Sequence, residues 1–153
     1  MGAAQRQPAK ETEVSAVVCD ASVIFKLVVA EEGSDQALHL AENYQIAVPE
    51  FLFLEIGNAL WSRVRSGKSR AGDVPELLDD LDAFSFDIRS ATLLVKPALS
   101  FAIRLDHPIY DCTYLALAER LGIPLITADQ RFLGVWSRSK LQTIDVRALA
   151  AFG

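Results

Sequence analysis

The sequence is short of most residues on which common enzyme chemistries are built. Two cysteines and two histidines in 153 residues leave no Cys/His zinc cage of the usual spacing. Cys19 and Cys112 therefore read as small core residues in a reducing compartment, with no disulfide between them. A Gly-rich phosphate loop, a GxSxG elbow and an HExxH pair are all missing from the sequence, which removes support for nucleotide-binding, serine-hydrolase and zinc-protease readings. His39 has no second ligand near it and reads as solvated or half-buried. No apolar run approaches the roughly 20 residues of a membrane-spanning helix. The opening MGAAQRQPAKETE has no apolar core of a secretory signal, so the expected location is the cytoplasm. Positive charge is scarce too: 15 Lys and Arg against 20 Asp and Glu give a net charge of −5. That balance argues against nucleic-acid binding by bulk electrostatics, although bound divalent cations reverse the local sign around acids.

What the chain has is a core. With 51% hydrophobic residues in 153, it suits one domain and is too short for two. Residues 1–13 are polar and aperiodic and read as a disordered arm before a domain at 14–153. Short β-prone runs near 14–19, 45–48, 85–89, 123–127 and 141–144 alternate with helical patterns. The implied class is α/β, a mostly parallel sheet of about four or five strands flanked by helices. A closing helical turn is expected over Val146–Phe152, a helix over 92–105, and an acidic amphipathic helix over 72–83.

Acids punctuate this pattern. Val14–Cys19 runs directly into Asp20, with Asp20 or Ser22 to cap the helix of DASVIFKL, and Ile123–Thr127 is followed by Asp129. HPIYDCTYLALAERLG reads as a helix apolar on most of its circumference, with Asp111 in its first turn and Gly122 stopping it. PEFLFLEIGNALW places Glu55 amid apolar residues, where an unpaired carboxylate is costly, with Asn58 on the same face as a candidate support. Taken singly, Asp20 and Asp129 have a structural explanation as helix caps, and Asp111 has one in the helix dipole. The basic run Arg63, Arg65, Lys68 and Arg70 suits either a solvated helix end or a phosphate contact. Right-handed crossovers bring the ends of the first and fourth strands to one edge, the edge at which open α/β sheets place ligands. Asp20, Glu55, Asp111 and Asp129 can meet there. Crowded carboxylates need protons or cations, and hard oxygen ligands select Mg²⁺ or Mn²⁺. Phosphodiester hydrolysis is the natural reaction of such a site.

The DASVIFKL opening, the PEFLFLEIGNALW helix, YDCTYLALAERLGIPLITADQRF and their spacing resemble the PIN domain, most closely VapC-type toxin ribonucleases, over about residues 14–145. The resemblance implies a Mg²⁺- or Mn²⁺-dependent endoribonuclease, usually a homodimer, held inactive by a cognate VapB-like antitoxin whose tail occupies the cleft. It implies Asp20, Glu55, Asp111 and Asp129 as the metal-binding and catalytic acids, with Ser22 and Thr127 as hydroxyls close to them or to the substrate phosphate. Arg131 stands where some members carry a further acid, and is assigned to the substrate phosphate or an antitoxin carboxylate. Two rivals are a catalytically inactive PIN-fold module that binds RNA or protein, and an aspartyl phosphotransferase. The latter wants an acid where this chain has Ser22.

Overall fold

A computed structural model describes residues 14–152; the arm expected over 1–13 lies outside the described residues. Five strands are present among them: β1 (Ala16–Cys19), β2 (Gln45–Pro49), β3 (Phe86–Arg89), β4 (Leu125–Thr127) and β5 (Val146–Ala148). They form one wholly parallel sheet in the order β3-β2-β1-β4-β5. Parallel strands must be joined by crossovers, and the helices that make them cover the sheet, so the inner strands become apolar on both faces. Val17, Val18 and Cys19, and likewise Leu125, Ile126 and Thr127, are accordingly buried.

The strand order places the site. After β1 the chain moves outward to β2 and β3, then returns to lay β4 on the other side of β1, pairing Val18 with Leu125 and Cys19 with Ile126. The connections leave β1 and β4 in opposite directions, which opens a crevice beyond their carboxyl ends. Asp20 directly follows β1, and Asp129 lies two residues beyond β4.

Seven α-helices occur among the described residues: α1 (Ala21–Val28), α2 (Ser34–Asn43), α3 (Leu52–Arg65), α4 (Val74–Asp82), α5 (Val95–Leu105), α6 (Ile109–Leu121) and α7 (Gln130–Arg138). α6 is the central one, with Cys112 to Ala118 all buried. Gly122 ends it at φ +65°, a conformation that costs a residue without Cβ little. Asp106, at φ +48°, makes the sharp elbow between α5 and α6, and short polar Asp tolerates that region better than most residues.

Three expectations need correction. The last strand is Val146–Ala148, not 141–144, and the closing helical turn shrinks to a 3₁₀ turn over Leu149–Ala151. Ile144 is buried and imitates a strand residue in the sequence, but the ladder starts only where Asp145 accepts a hydrogen bond from Leu125 N (2.9 Å). The helix expected over 92–105 opens with a 3₁₀ segment, and the acidic one likewise. Finally, the apolar face around Glu55 is not uniformly buried. Leu54 is 78% exposed and Trp61 55%, so part of α3's hydrophobicity is a surface property.

Candidate active site

Asp20 enters the crevice as the N-cap of α1, its Oδ1 accepting from Val23 N (3.3 Å) and from the Ser22 hydroxyl (2.5 Å). Ser22 Oγ also accepts from Ala128 N (2.9 Å) and lies 3.4 Å from the buried Thr127 Oγ1. Thr127 Oγ1 in turn accepts from Asp129 N (3.0 Å). Two hydroxyls thus stitch the end of β1 to the end of β4, neighbours in space though Ser22 and Ala128 are 106 residues apart in sequence.

Asp129 caps α7, its Oδ1 taking Arg131 N (2.9 Å) and Phe132 N (3.1 Å). The structural explanation for Asp20 and Asp129 is therefore satisfied in geometry, the backbone N–H donors of both caps meeting Oδ1. The Thr127 hydroxyl is a further hydrogen-bond partner of the Asp20 carboxyl, whereas Asp129 takes both of its backbone donors on Oδ1.

Glu55 and Asp111 follow the same pattern. Tyr114, on α6, donates its hydroxyl to Glu55 Oε2 (2.5 Å), and His107 Nε2 lies 2.6 Å from Asp111 Oδ2. The expected support from Asn58 is not seen: that side chain is exposed, and Tyr114 occupies the role. Each of the four carboxylates is thus anchored by at least one hydrogen bond.

The electrostatics bring three of the four into one neighbourhood. Asp20 is only 4% exposed. Burial pushes its carboxyl up from 3.8 to about 7, the Asp111 charge adds to the rise, and the Ser22 and Thr127 hydroxyls and Val23 N–H oppose it. Glu55 is raised by burial and by Asp111, against the lowering effect of the Tyr114 hydrogen bond. Asp129 reaches the same edge, but its carboxylate is not among the charges acting on Asp20 or Glu55. Among the described residues no three of the His, Cys, Asp and Glu side chains close into a ready-made metal cage. Carboxylates without a cation repel and gain nothing by touching. The donor set, all hard carboxylate and hydroxyl oxygen with its histidine turned onto a carboxylate, fits Mg²⁺ or Mn²⁺ and does not fit zinc.

Sequence reasoning missed Tyr114 and His107. Both carried a signal: Tyr114 stands three residues after Asp111 on one helical face, and His107 four before it. Cys112, raised to about 12 chiefly by burial, is a core thiol and offers no nucleophile. The basic run lies away from the acids. Arg65 stacks over Trp61 (5.3 Å) and Arg63 bonds Ser69 Oγ (3.1 Å), at the end of α3 roughly 15 Å along the axis from Glu55.

Tyr114→Phe keeps the edge-on packing against Phe51 (5.5 Å, 67°) and deletes only the donor to Glu55. It is expected to cost about 1–2 kcal/mol of stability at pH 8 and to raise the Glu55 carboxyl further. Urea unfolding and the carboxyl ¹³C titration of Glu55 would read the two effects.

The PIN domain profile matches residues 17–135. Ribonuclease VapC3 of Pyrobaculum aerophilum is 31% identical over 118 residues, 75% of this chain and 90% of that protein. The crystal structure of PAE2754 from Pyrobaculum aerophilum superposes with a TM-score of 0.65 at 23% identity, covering 90% of this chain and 92% of the other. A toxin-antitoxin complex from Klebsiella pneumoniae superposes at 0.57 and 13% identity, over 88% of this chain and 98% of that one.

Proposed function

The chain belongs to the PIN domain family, and from that premise we propose that it is a Mg²⁺- or Mn²⁺-dependent endoribonuclease, the toxin of a VapBC-type pair. The observation that carries the reading is Asp20: a carboxyl buried at the β1–β4 crevice, raised to about 7, and facing the charge of Asp111. A group so placed is comfortable only with a proton or a cation. The likeness to a protein named a ribonuclease supports RNA as substrate.

Asp20, Asp111 and Asp129 would hold the ion, with Glu55 completing the site or orienting the attacking water. When bound, the ion supplies a water deprotonated near neutral pH and charge stabilisation at a phosphoryl oxygen. The chain's own residues do the rest. Tyr114 fixes Glu55 by donating to Oε2 and leaves Oε1 to meet the water. Ser22 and Thr127 hold the β1 and β4 ends in register. Arg131, exposed in the first turn of α7, reaches toward a phosphate of the substrate or a carboxylate of a VapB-like antitoxin. Cleavage leaves a 5′-phosphate and a 3′-hydroxyl. Purified protein freed of antitoxin is expected to cut RNA with Mg²⁺ or Mn²⁺ and to stop when EDTA is added. Cleavage indifferent to chelation removes the metal site. No cleavage and no metal uptake at all would leave a binding module.

The surface supports self-association. Val95, Leu99 and Ile103 recur every fourth residue along α5 and are 49%, 49% and 73% exposed. Val95 also lines a mainly apolar groove of about 600 Å³ with Phe51, Leu54, Ile109 and Tyr110, bordered by Glu55 and Asn58. A continuous apolar face of this kind marks an interface, and a second copy is the occupant the family resemblance implies. Ile103→Asp is expected to shift the protein from dimer to monomer in sedimentation and to remove the dependence of its melting temperature on protein concentration.

A further inference from the structure

We infer that His107 is a positioning residue for the acid cluster, acting through Asp111 and touching neither metal nor RNA; the inference rests on the nuclease reading above. Its Nε2 lies 2.6 Å from Asp111 Oδ2, and the imidazole is 6% exposed while the carboxylate is 32% exposed. A ring so enclosed cannot reach a substrate phosphate, whereas its partner can.

The residue is held from three helices. Its backbone N donates to Ala102 O on α5 (3.1 Å), directly after the left-handed Asp106. Its carbonyl receives the Cys112 thiol of α6 at 4.0 Å. Its ring rests on Phe132 of α7, with centroids 5.2 Å apart at 42°. Phe132 is one of the two residues whose backbone N–H donates to the capping Asp129 Oδ1 (3.1 Å). One imidazole therefore bonds Asp111 on one side and packs on the other against one of the residues that orient Asp129.

Two consequences follow for the chemistry. A carboxylate accepts, so the imidazole must carry a proton on Nε2. With Oδ2 so engaged, Asp111 presents Oδ1 to any cation in one rotamer. Groups that orient a metal-binding side chain in this way typically contribute about ten- to a hundredfold in metal affinity.

The test compares full-length wild type with His107→Leu, His107→Gln and His107→Asn for Mn²⁺ binding by calorimetry and for kcat and KM on RNA. Gln extends its amide N–H to about where Nε2 stood, whereas Asn reaches only to where Nδ1 stood. The expected result is a Mn²⁺ affinity about ten- to a hundredfold weaker in the Leu and Asn variants, a matching fall in kcat with KM for RNA little changed, and recovery of most of both in the Gln variant. In metal-free wild type, long-range ¹⁵N spectra should show the His107 proton on Nε2. The inference falls if Leu matches wild type in Mn²⁺ affinity, if Gln and Asn are equally impaired in proteins of equal melting temperature, or if the proton is found on Nδ1 alone. Wild type that neither binds Mn²⁺ nor cuts RNA overturns the nuclease reading and the inference with it. Wild type that does both while the Leu variant is unaffected overturns the inference alone.

Discussion

Asp20→Asn is expected to make the metal-free protein more stable at pH 8 by on the order of 4 kcal/mol while abolishing RNA cleavage. The stabilisation follows from where the carboxyl titrates: 3.8 as an ordinary aspartate and about 7 in the fold. Between those values the folded chain binds more protons than the unfolded one, so wild-type stability declines as pH rises from about 4 and levels off above about 7. Asn cannot ionise, and its curve should stay flat across that window. Its Oδ1 still caps α1 at Val23 and still accepts from Ser22, because Asn caps a helix as well as Asp does. Urea unfolding in EDTA at pH 4.5, 6 and 8 would show the two proteins alike at the acid end and diverging upward. An Asn variant less stable than wild type at pH 8 would mean that the negative charge serves the helix cap more than burial opposes it.

A second large effect is expected from the cation itself. Saturating the site with Mn²⁺ at about a hundred times its dissociation constant should add about 2.7 kcal/mol to wild-type stability. Chelation should take that increment away together with cleavage. The increment should grow with pH between 6 and 8, since below about 7 the ion must displace the proton on Asp20. Asp111→Asn should lose most of the increment while keeping the capped ends of α1 and α7, which involve other residues. Thermal melts with and without Mn²⁺ on both proteins would measure it. An increment of equal size in Asp111→Asn would place the bound ion elsewhere.

The parts of this fold that could be read from sequence were those in which one residue type does one job. β-branched runs ending in Asp20 and Asp129 marked two strand ends, because a buried parallel strand is continuously apolar and its terminus is where polarity resumes. α6 was legible for the same reason, being apolar nearly all round with Gly122 as its stop. The reading erred where a residue has two roles. Ile144 is buried without being in a strand, so burial alone misplaced β5. Leu54 and Trp61 are apolar yet exposed, and so inflated the apparent burial around Glu55. Tyr114 and His107 were overlooked because an aromatic on a core helix resembles packing, and only the three-dimensional meeting of α3, α6 and α7 shows the hydrogen bonds their tips make. Membership of the family was legible because it rests on order and spacing, which a single chain displays in full.

The stitch between Ser22 and Ala128 also governs when the crevice can first form. During translation β1 emerges early and waits, since the strand that must lie beside it is made more than a hundred residues later, as the 106-residue separation shows. Pairings that distant form late in folding. A nascent chain still threaded through a ribosome therefore carries Asp20 without Asp129, and the crevice between β1 and β4 comes into being only as the final strands emerge.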